Sequence, residues 1–229
     1  MKILLASILW LENLKLNFKN IKMVKTINFK NRNFQIHEND LISSIIEETN
    51  EFYEIDIFNN FKNFIPKNGI FLDIGANIGN HSIMFSSCFN NVEVFSFEPF
   101  SLNYELLLHN TRFYPKIHPL KLALGSNEGI IHISNNNDTN KGGAFVSNKG
   151  EKCPVMALDS LNIKDISFIK IDIEGHEFSA IEGATKTIIN FRPVIWIEDF
   201  TGETINYLVN NLNYKIQIKG AYKNYLLTP

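Results

Sequence analysis

Apolar and polar positions alternate along this chain with two different periods, and the changes between them mark its elements. Over 25–37, Thr26-Ile-Asn-Phe29 and Phe34-Gln-Ile-His37 alternate on either side of the polar stretch Lys30-Asn-Arg-Asn33, which predicts a small hairpin. Asp40 is placed to cap a helix through Ile42, Ile45 and Ile46. A second helical stretch carries Ile55, Phe58, Phe61 and Phe64 until Pro66-Lys-Asn-Gly69 stops it, and its apolar stripe reads as core packing. From residue 70 the pattern predicts strand 70–74, helix 79–89, strand 92–97, helix 101–113, and a strand over 117–124 that is interrupted or entered late because of Pro119. It then predicts strand 166–173, helix 176–189, strand 193–197 and helix 201–212, and two last strands, 214–218 and 222–227, around the turn at Lys219-Gly220. Alternating strands and helices predict an α/β fold: a mostly parallel sheet with helices on both faces and a ligand at the carboxyl ends of its strands. The terminal hairpin sets it apart from a simple six-strand dinucleotide fold.

The stretch 125–159 breaks this rhythm. Short strand-like pieces at 130–133, 144–146 and 155–158 are separated by Asn, Gly and Lys, so a β-rich insertion is expected, with Asn135-Asn-Asn-Asp138 and Lys141-Gly-Gly143 as flexible loops able to order over a substrate. The chain divides into an N-terminal helical and hairpin extension or cap, 1–65, and a main domain, 66–229. Lys2 and the apolar run Ile3-Leu-Leu-Ala-Ser-Ile-Leu-Trp-Leu11 superficially resemble a signal sequence. No small-residue cleavage site follows, and the run is too short for the about 20 residues a bilayer span needs. Residues 2–19 read as an amphipathic helix or docking arm with a weak membrane-surface role as the alternative, and Met23 is an alternative start.

Composition narrows the classes. At 229 residues with 45% hydrophobic and 20% charged, the chain can bury one sizeable core. A net charge of -2 supplies no general attraction to nucleic acid, which is not expected as a partner. Cys88 and Cys153 form no CxxC pattern, which suits a reducing cytoplasmic compartment and two ordinary buried thiols.

Chemistry concentrates in three places. Phe71-Leu-Asp-Ile-Gly-Ala-Asn-Ile-Gly79 passes from strand to helix through Gly75 and Gly79, a loop where backbone can approach a ligand. Glu98 follows Gly79 by 19 positions, the spacing at which a carboxylate holds ribose hydroxyls in nucleotide-binding α/β folds. A nicotinamide dinucleotide needs a glycine at 77, where this chain has Asn77, and Asp73 adds charge that would repel a pyrophosphate. The sulfonium and amine of S-adenosylmethionine suit those groups better. The third place is the end of the fourth strand. There Asp172 and Glu174 share a side if the strand continues, His176 and Glu177 open the next helix, and Glu198 and Asp199 end the adjacent strand. Asp172 is the first candidate base and His176 the alternative; Asp172, Glu198 and Asp199 together make a candidate Mg²⁺ site. His81 faces either cofactor or acceptor. His37, His109, His118 and His132 show no metal-ligand spacing.

Taken together, Phe71 to Gly79, Phe97-Glu-Pro99, Leu158-Asp-Ser-Leu161, Ile169-Lys-Ile-Asp-Ile-Glu-Gly-His-Glu177 and Glu182-Gly-Ala184 resemble the FkbM family of S-adenosylmethionine-dependent methyltransferases over about 54–198. The resemblance implies a Rossmann-like class I methyltransferase sheet with an antiparallel C-terminal strand, and methyl transfer mostly to oxygen, often on sugars or glycan-like metabolites. It implies that Asp73, Gly75, Asn77 and Gly79 line the methionine portion of the cofactor, Glu98 the ribose, and Ala123 and Leu124 the adenine. His81, Glu174 and Glu198 fall on the substrate side. An NAD-linked oxidoreductase and a non-catalytic cofactor- or glycan-binding module are the alternative readings; Asn77 counts against the first and the acidic cluster at 172–177 against the second.

Overall fold

The computed structural model describes residues 24–135 and 140–229, so the expected arm at 2–19, Met23 and part of the Asn-rich loop lie outside the described residues. The described residues open with the expected hairpin, β1 (Val24–Phe29) and β2 (Arg32–His37), then helices α1 (Leu41–Thr49) and α2 (Ile55–Phe61). Asp40 caps α1 by accepting the Ser43 N–H at 3.0 Å. Next come β3 (Asn68–Ile74), α3 (Asn80–Cys88), β4 (Asn91–Phe97), α4 (Ser101–Thr111) and β5 (Ile117–Leu120). The insertion holds β6 (Ala123–Leu124), β7 (Gly129–Ser134), β8 (Phe145–Ser147) and β9 (Glu151–Met156). After it follow α5 (Leu158–Leu161), β10 (Ile166–Ile171), α6 (Glu177–Glu182), α7 (Thr185–Phe191), β11 (Val194–Glu198), α8 (Glu203–Leu212), β12 (Lys215–Lys219) and β13 (Asn224–Thr228).

The main sheet has seven strands in the order β12-β13-β11-β10-β3-β4-β5. Its strands from β5 to β11 run parallel, and β13 is antiparallel to both β11 and β12, as the terminal hairpin predicts. The insertion folds as a separate four-stranded sheet, β6-β9-β7-β8. No helix among the described residues is long and apolar enough to cross a membrane.

Several local expectations are corrected. The 117–124 strand is two strands in two sheets. Pro119 itself lies in β5, where the missing N–H is harmless because β5 is the sheet edge, and the chain leaves the main sheet only after Leu120. The fourth strand ends at Ile171, short of Asp172 and Glu174. The 176–189 helix is split into α6 and α7 around Gly183, and Leu158 belongs to a helix. The split leaves amides at the start of α7 to be satisfied from outside, and Asp159 does so by accepting from Lys186 and Thr187 N–H at 3.0 and 2.8 Å. Cys88 is exposed, because it falls on the outer side of α3; Cys153 is buried.

Strand alternation sends two apolar sets to opposite faces of the sheet. Leu72, Ile169, Ile171, Ile195 and Ile197 pack under α6, α7 and α8. Phe71, Val94, Phe168, Trp196 and Leu226 pack under α3 and against Phe29, Phe34, Ile46, Phe58 and Phe61 of the N-terminal segment. That segment therefore shares the core of the sheet.

Candidate active site

On the face covered by α3, the apolar set ends in polar residues just before the carboxyl ends of the strands. Asp73 is register-paired with Ser96 on one side and Lys170 on the other, and Lys170 with Trp196. All four are buried, with Asp73, Ser96 and Trp196 fully so. The Ser82 hydroxyl, from the first turns of α3, donates to Asp73 Oδ2 at 2.5 Å and lies 2.7 Å from Ser96 Oγ, while Asp73 Oδ1 has no partner. A row of polar groups at this depth costs stability unless it is paired, so its place beside the strand ends points to use.

Those strand ends open on a cavity of about 360 Å³. At one end lie Glu98, Pro99, Leu122, Ala123 and Leu124. Glu98 is buried and accepts the backbone N–H groups of Asn77 and Phe100, each at 2.8 Å. Burial pushes its carboxyl up to about 7, against those two donors, which favour the charge. Asn77 lines the same space with its side-chain oxygen buried and unpartnered. The glycine at 75 has φ 85, and a β-carbon there would lie 1.9 Å from the carbonyl oxygen of Asp172, so only glycine lets the loops after β3 and β10 meet. Gly79 does not line the cavity. Its φ of 95 and its contact with Leu107 of α4 account for the residue instead.

The opposite end is built from charge. Lys170 Nζ lies 3.1 Å from Asp172 Oδ2 and 5.9 Å from the centre of the Trp196 ring. Burial works to lower the Lys170 ammonium, but Asp172, Asp73 and Glu54 outweigh it and hold the charge. Burial likewise works to raise Asp172, and Lys170 overrides it, keeping Asp172 below the usual carboxylate range. Burial and then the Asp172 charge push Glu198 up to about 8. Tyr53 and Glu54 close this end; burial, then Glu54, raise the Tyr53 hydroxyl to about 12. His81 stands behind Glu54, its Nε2 3.1 Å from Glu54 Oε2 but off the direction a hydrogen bond requires, so that this buried nitrogen has no hydrogen-bond partner.

Ile133, Gly142, Ala144 and Val146 of the insertion line the same cavity together with Leu41 and Ile42 of α1, and Gly142 stands against Ile42. Lys141 N–H donates to Asp40 Oδ1 at 2.7 Å, tying insertion to N-terminal segment.

Of the residues singled out from sequence, Gly75, Asn77, Glu98, Ala123, Leu124, Asp172, Glu174, His176 and Glu198 line one cavity, and Asp73, Gly79, His81 and Asp199 do not. Glu174 is exposed at its rim, with a left-handed backbone at φ 52. His176 stands beside β6, where a β-carbon on Gly125 would lie 3.1 Å from its Nε2, and burial lowers its imidazole. Asp199 is turned inward. Its Oδ1 accepts from Thr201 N–H, Thr201 Oγ1 and Gly202 N–H, and its Oδ2 from Ile205 N–H, so both oxygens serve the start of α8. The Mg²⁺ reading loses that ligand, and no cluster of His, Cys, Asp and Glu among the described residues is arranged to hold a metal ion. Sequence reasoning missed Lys170, Tyr53 and Glu54. A lysine inside the apolar run Ile169-Lys-Ile171 was the available signal for the first.

The model of the family described as the methyltransferase FkbM domain matches residues 73–216, from Asp73 in β3 to β12. A hexuronic acid methyltransferase, AglP, of Haloferax volcanii is 27% identical over 171 residues, covering 67% of this chain and 60% of that protein. The chain thus spans about 60% of this curated relative. In structure, the methyltransferase FkbM from Methylobacillus flagellatus KT shares the fold with a TM-score of 0.55 at 21% identity, over 71% of this chain and 44% of that one. The family match extends over well more than half of the sequence, and the chain belongs to the methyltransferase FkbM domain family.

Proposed function

We propose that this protein is an S-adenosylmethionine-dependent methyltransferase that modifies a sugar hydroxyl. The observation that carries the reading is the single cavity with two unlike ends. Glu98 beside the apolar Leu122, Ala123 and Leu124 suits a ribose and adenine, since each carboxylate oxygen keeps a lone pair for a ribose hydroxyl. The unpartnered oxygen of Asn77 suits a donor of an amino-acid portion, and Gly75 gives it room. These residues fit the cofactor; when bound, it supplies a methyl group on a positively charged sulfur. The Asp172 end receives the acceptor. Glu54, Asp172, Glu174 and Glu198 line it and, among the described residues, no Lys or Arg does, which favours an acceptor that presents hydroxyls over one that presents a carboxylate. The name of the Haloferax relative supports a sugar as acceptor; the charge of this wall argues for a neutral one. Residues 24–65 act as the acceptor-side cap of a domain over 66–229.

Calorimetry with S-adenosylhomocysteine, followed by transfer of labelled methyl groups to matched neutral glycosides and uronates, tests the reading. Binding, and transfer to the neutral set, is expected. No heat with S-adenosylhomocysteine overturns the cofactor assignment, and transfer to uronates alone overturns the acceptor assignment.

A further inference from the structure

This inference rests on the methyl-transfer reading and names the group that takes the proton. A hydroxyl acceptor must lose its proton as the methyl group arrives, so a base is needed within reach of it. Five carboxylates line the cavity, and four are engaged or misplaced. Glu98 is held by two backbone N–H groups at the far end. Asp172 is paired with the Lys170 ammonium, which weakens it as a base. Glu198 is bound up with the neighbouring Asp172 carboxylate, whose charge acts on it together with burial. Glu174 is exposed at the rim.

Glu54 differs from all four. Its side chain is only 10% exposed, no Lys or Arg among the described residues pairs with it, and its Oε1 meets only Asn224 Nδ2 at 3.5 Å. Its Oε2 faces the buried, unpartnered Nε2 of His81. The position is fixed from behind: Asn80, at the start of α3, accepts the Tyr53 N–H at 2.9 Å and donates to the Tyr53 carbonyl at 3.1 Å. Glu54 itself is held at φ 61, a left-handed conformation that costs a glutamate about 1 kcal/mol or more and persists where the surroundings dictate it. Tyr53 and Glu54 lie ahead of the matched segment, which begins at Asp73.

We propose that Glu54 is the catalytic base, supplied by the N-terminal segment, and that His81 is a positioning residue that holds its carboxylate. The acceptor's O–H bond breaks and its proton passes to Glu54. The oxygen's electron pair forms the new bond to the methyl carbon, and the pair of the broken S–CH₃ bond stays on sulfur. The charged and titratable groups facing Glu54 are His81 from α3, Lys170 from β10, Asp172 beyond it, Glu198 from β11, and its neighbour Tyr53.

The test compares wild type with Glu54→Gln and Glu54→Ala, using labelled S-adenosylmethionine and methyl glucoside, galactoside and mannoside as probes. Glu54→Gln is expected to lower turnover at least about 100-fold, the scale of general-base catalysis, with S-adenosylhomocysteine affinity unchanged within about twofold. Exogenous formate is expected to restore part of the turnover to Glu54→Ala, which a purely structural role would not allow. Independently of turnover, the His81 ring ¹⁵N resonances move in Glu54→Gln and stay in place in Glu174→Gln. Retained turnover in Glu54→Gln, or unmoved His81 resonances, overturns the proposal; if none of the glycosides is methylated, the resonances decide alone. Wild type that fails to bind S-adenosylhomocysteine sinks the underlying reading instead.

Discussion

The two ends of the cavity are built by different rules. Around Glu98 the work falls to backbone: the amides of Asn77 and Phe100 face the carboxylate, the Gly75 and Ala76 N–H groups both donate to the Phe97 carbonyl at 3.0 Å, and the wall is apolar. Around Asp172 it falls to side chains that carry charge, and they come from the N-terminal segment, α3, β10 and β11. Backbone sites need only a short run of the right residues. Charged sites exist only once distant segments have packed, and they put stability at risk if one member is removed.

The strongest way to break this contrast is to remove the cation. Lys170→Met leaves Asp172, Glu54 and Asp73 without the charge that holds them together, and is expected to cost about 3–5 kcal/mol in urea unfolding at pH 7. A loss under about 1 kcal/mol would mean the pair is neutral in energy and the acidic groups stand on their own. Next in size is Gly75→Ala, at the contact where the two ends touch. The clash with the Asp172 carbonyl and the left-handed φ together predict a loss of about 2–3 kcal/mol and weakened binding of S-adenosylhomocysteine. If Gly75→Ala binds normally, the two loops are less tightly coupled than their spacing implies.

The same contrast decides what could be read from the sequence. The sheet was legible because its strands and helices alternate with strong periods, and the antiparallel close was legible from Lys219-Gly220 between two strand patterns. Glu98 was legible because it belongs to a local spacing. Lys170 was hidden inside the apolar run of a buried strand, where its role depends on register with Asp73 and Trp196. Tyr53 and Glu54 carried no signal, since nothing local shows that Asn80, well over twenty positions later, would clasp the Tyr53 backbone. Asp199 misled for a related reason: adjacent strand-end residues point opposite ways, so Glu198 faces the cavity while Asp199 turns to α8.

A pH series sharpens the comparison. Glu98 sits at about 7 against an ordinary 4.5, so the folded protein binds this proton more tightly than the unfolded chain. The stabilisation is full below about 4.5 and is lost as pH rises through about 7; Glu198 acts in the same sense up to about 8, reduced by its exposure. Asp172, held low by Lys170 despite burial, works oppositely, and its contribution is lost on acidification. Stability of the ligand-free protein should fall between pH 5 and 8, and Glu98→Gln should flatten that slope below pH 7. Ribose hydroxyls favour the charged carboxylate, so S-adenosylhomocysteine should bind more tightly as pH rises through about 7, and Glu98→Gln should weaken it roughly tenfold at pH 8, about 1.4 kcal/mol. Affinity independent of pH would remove Glu98 from the ribose.

The smallest expected effect concerns the residue that the sequence leaves between the two ends. His176 follows the acidic run Asp172-Ile-Glu-Gly175 and reads from sequence as a second base. Its position beside Gly125, just beyond β6, puts it instead along the wall that continues from Leu124. Burial keeps its imidazole neutral near pH 7, and an uncharged ring there offers a flat surface and one hydrogen-bond donor. His176→Ala should therefore weaken S-adenosylhomocysteine by only about 0.5–1 kcal/mol, the worth of a single neutral hydrogen bond or packing contact, and leave the turnover of bound cofactor intact. Because Glu54→Gln is expected to do the reverse, measuring affinity and turnover for both variants separates the ends. A loss of turnover in His176→Ala at unchanged affinity would move His176 to the charged end and restore it as a rival to Glu54.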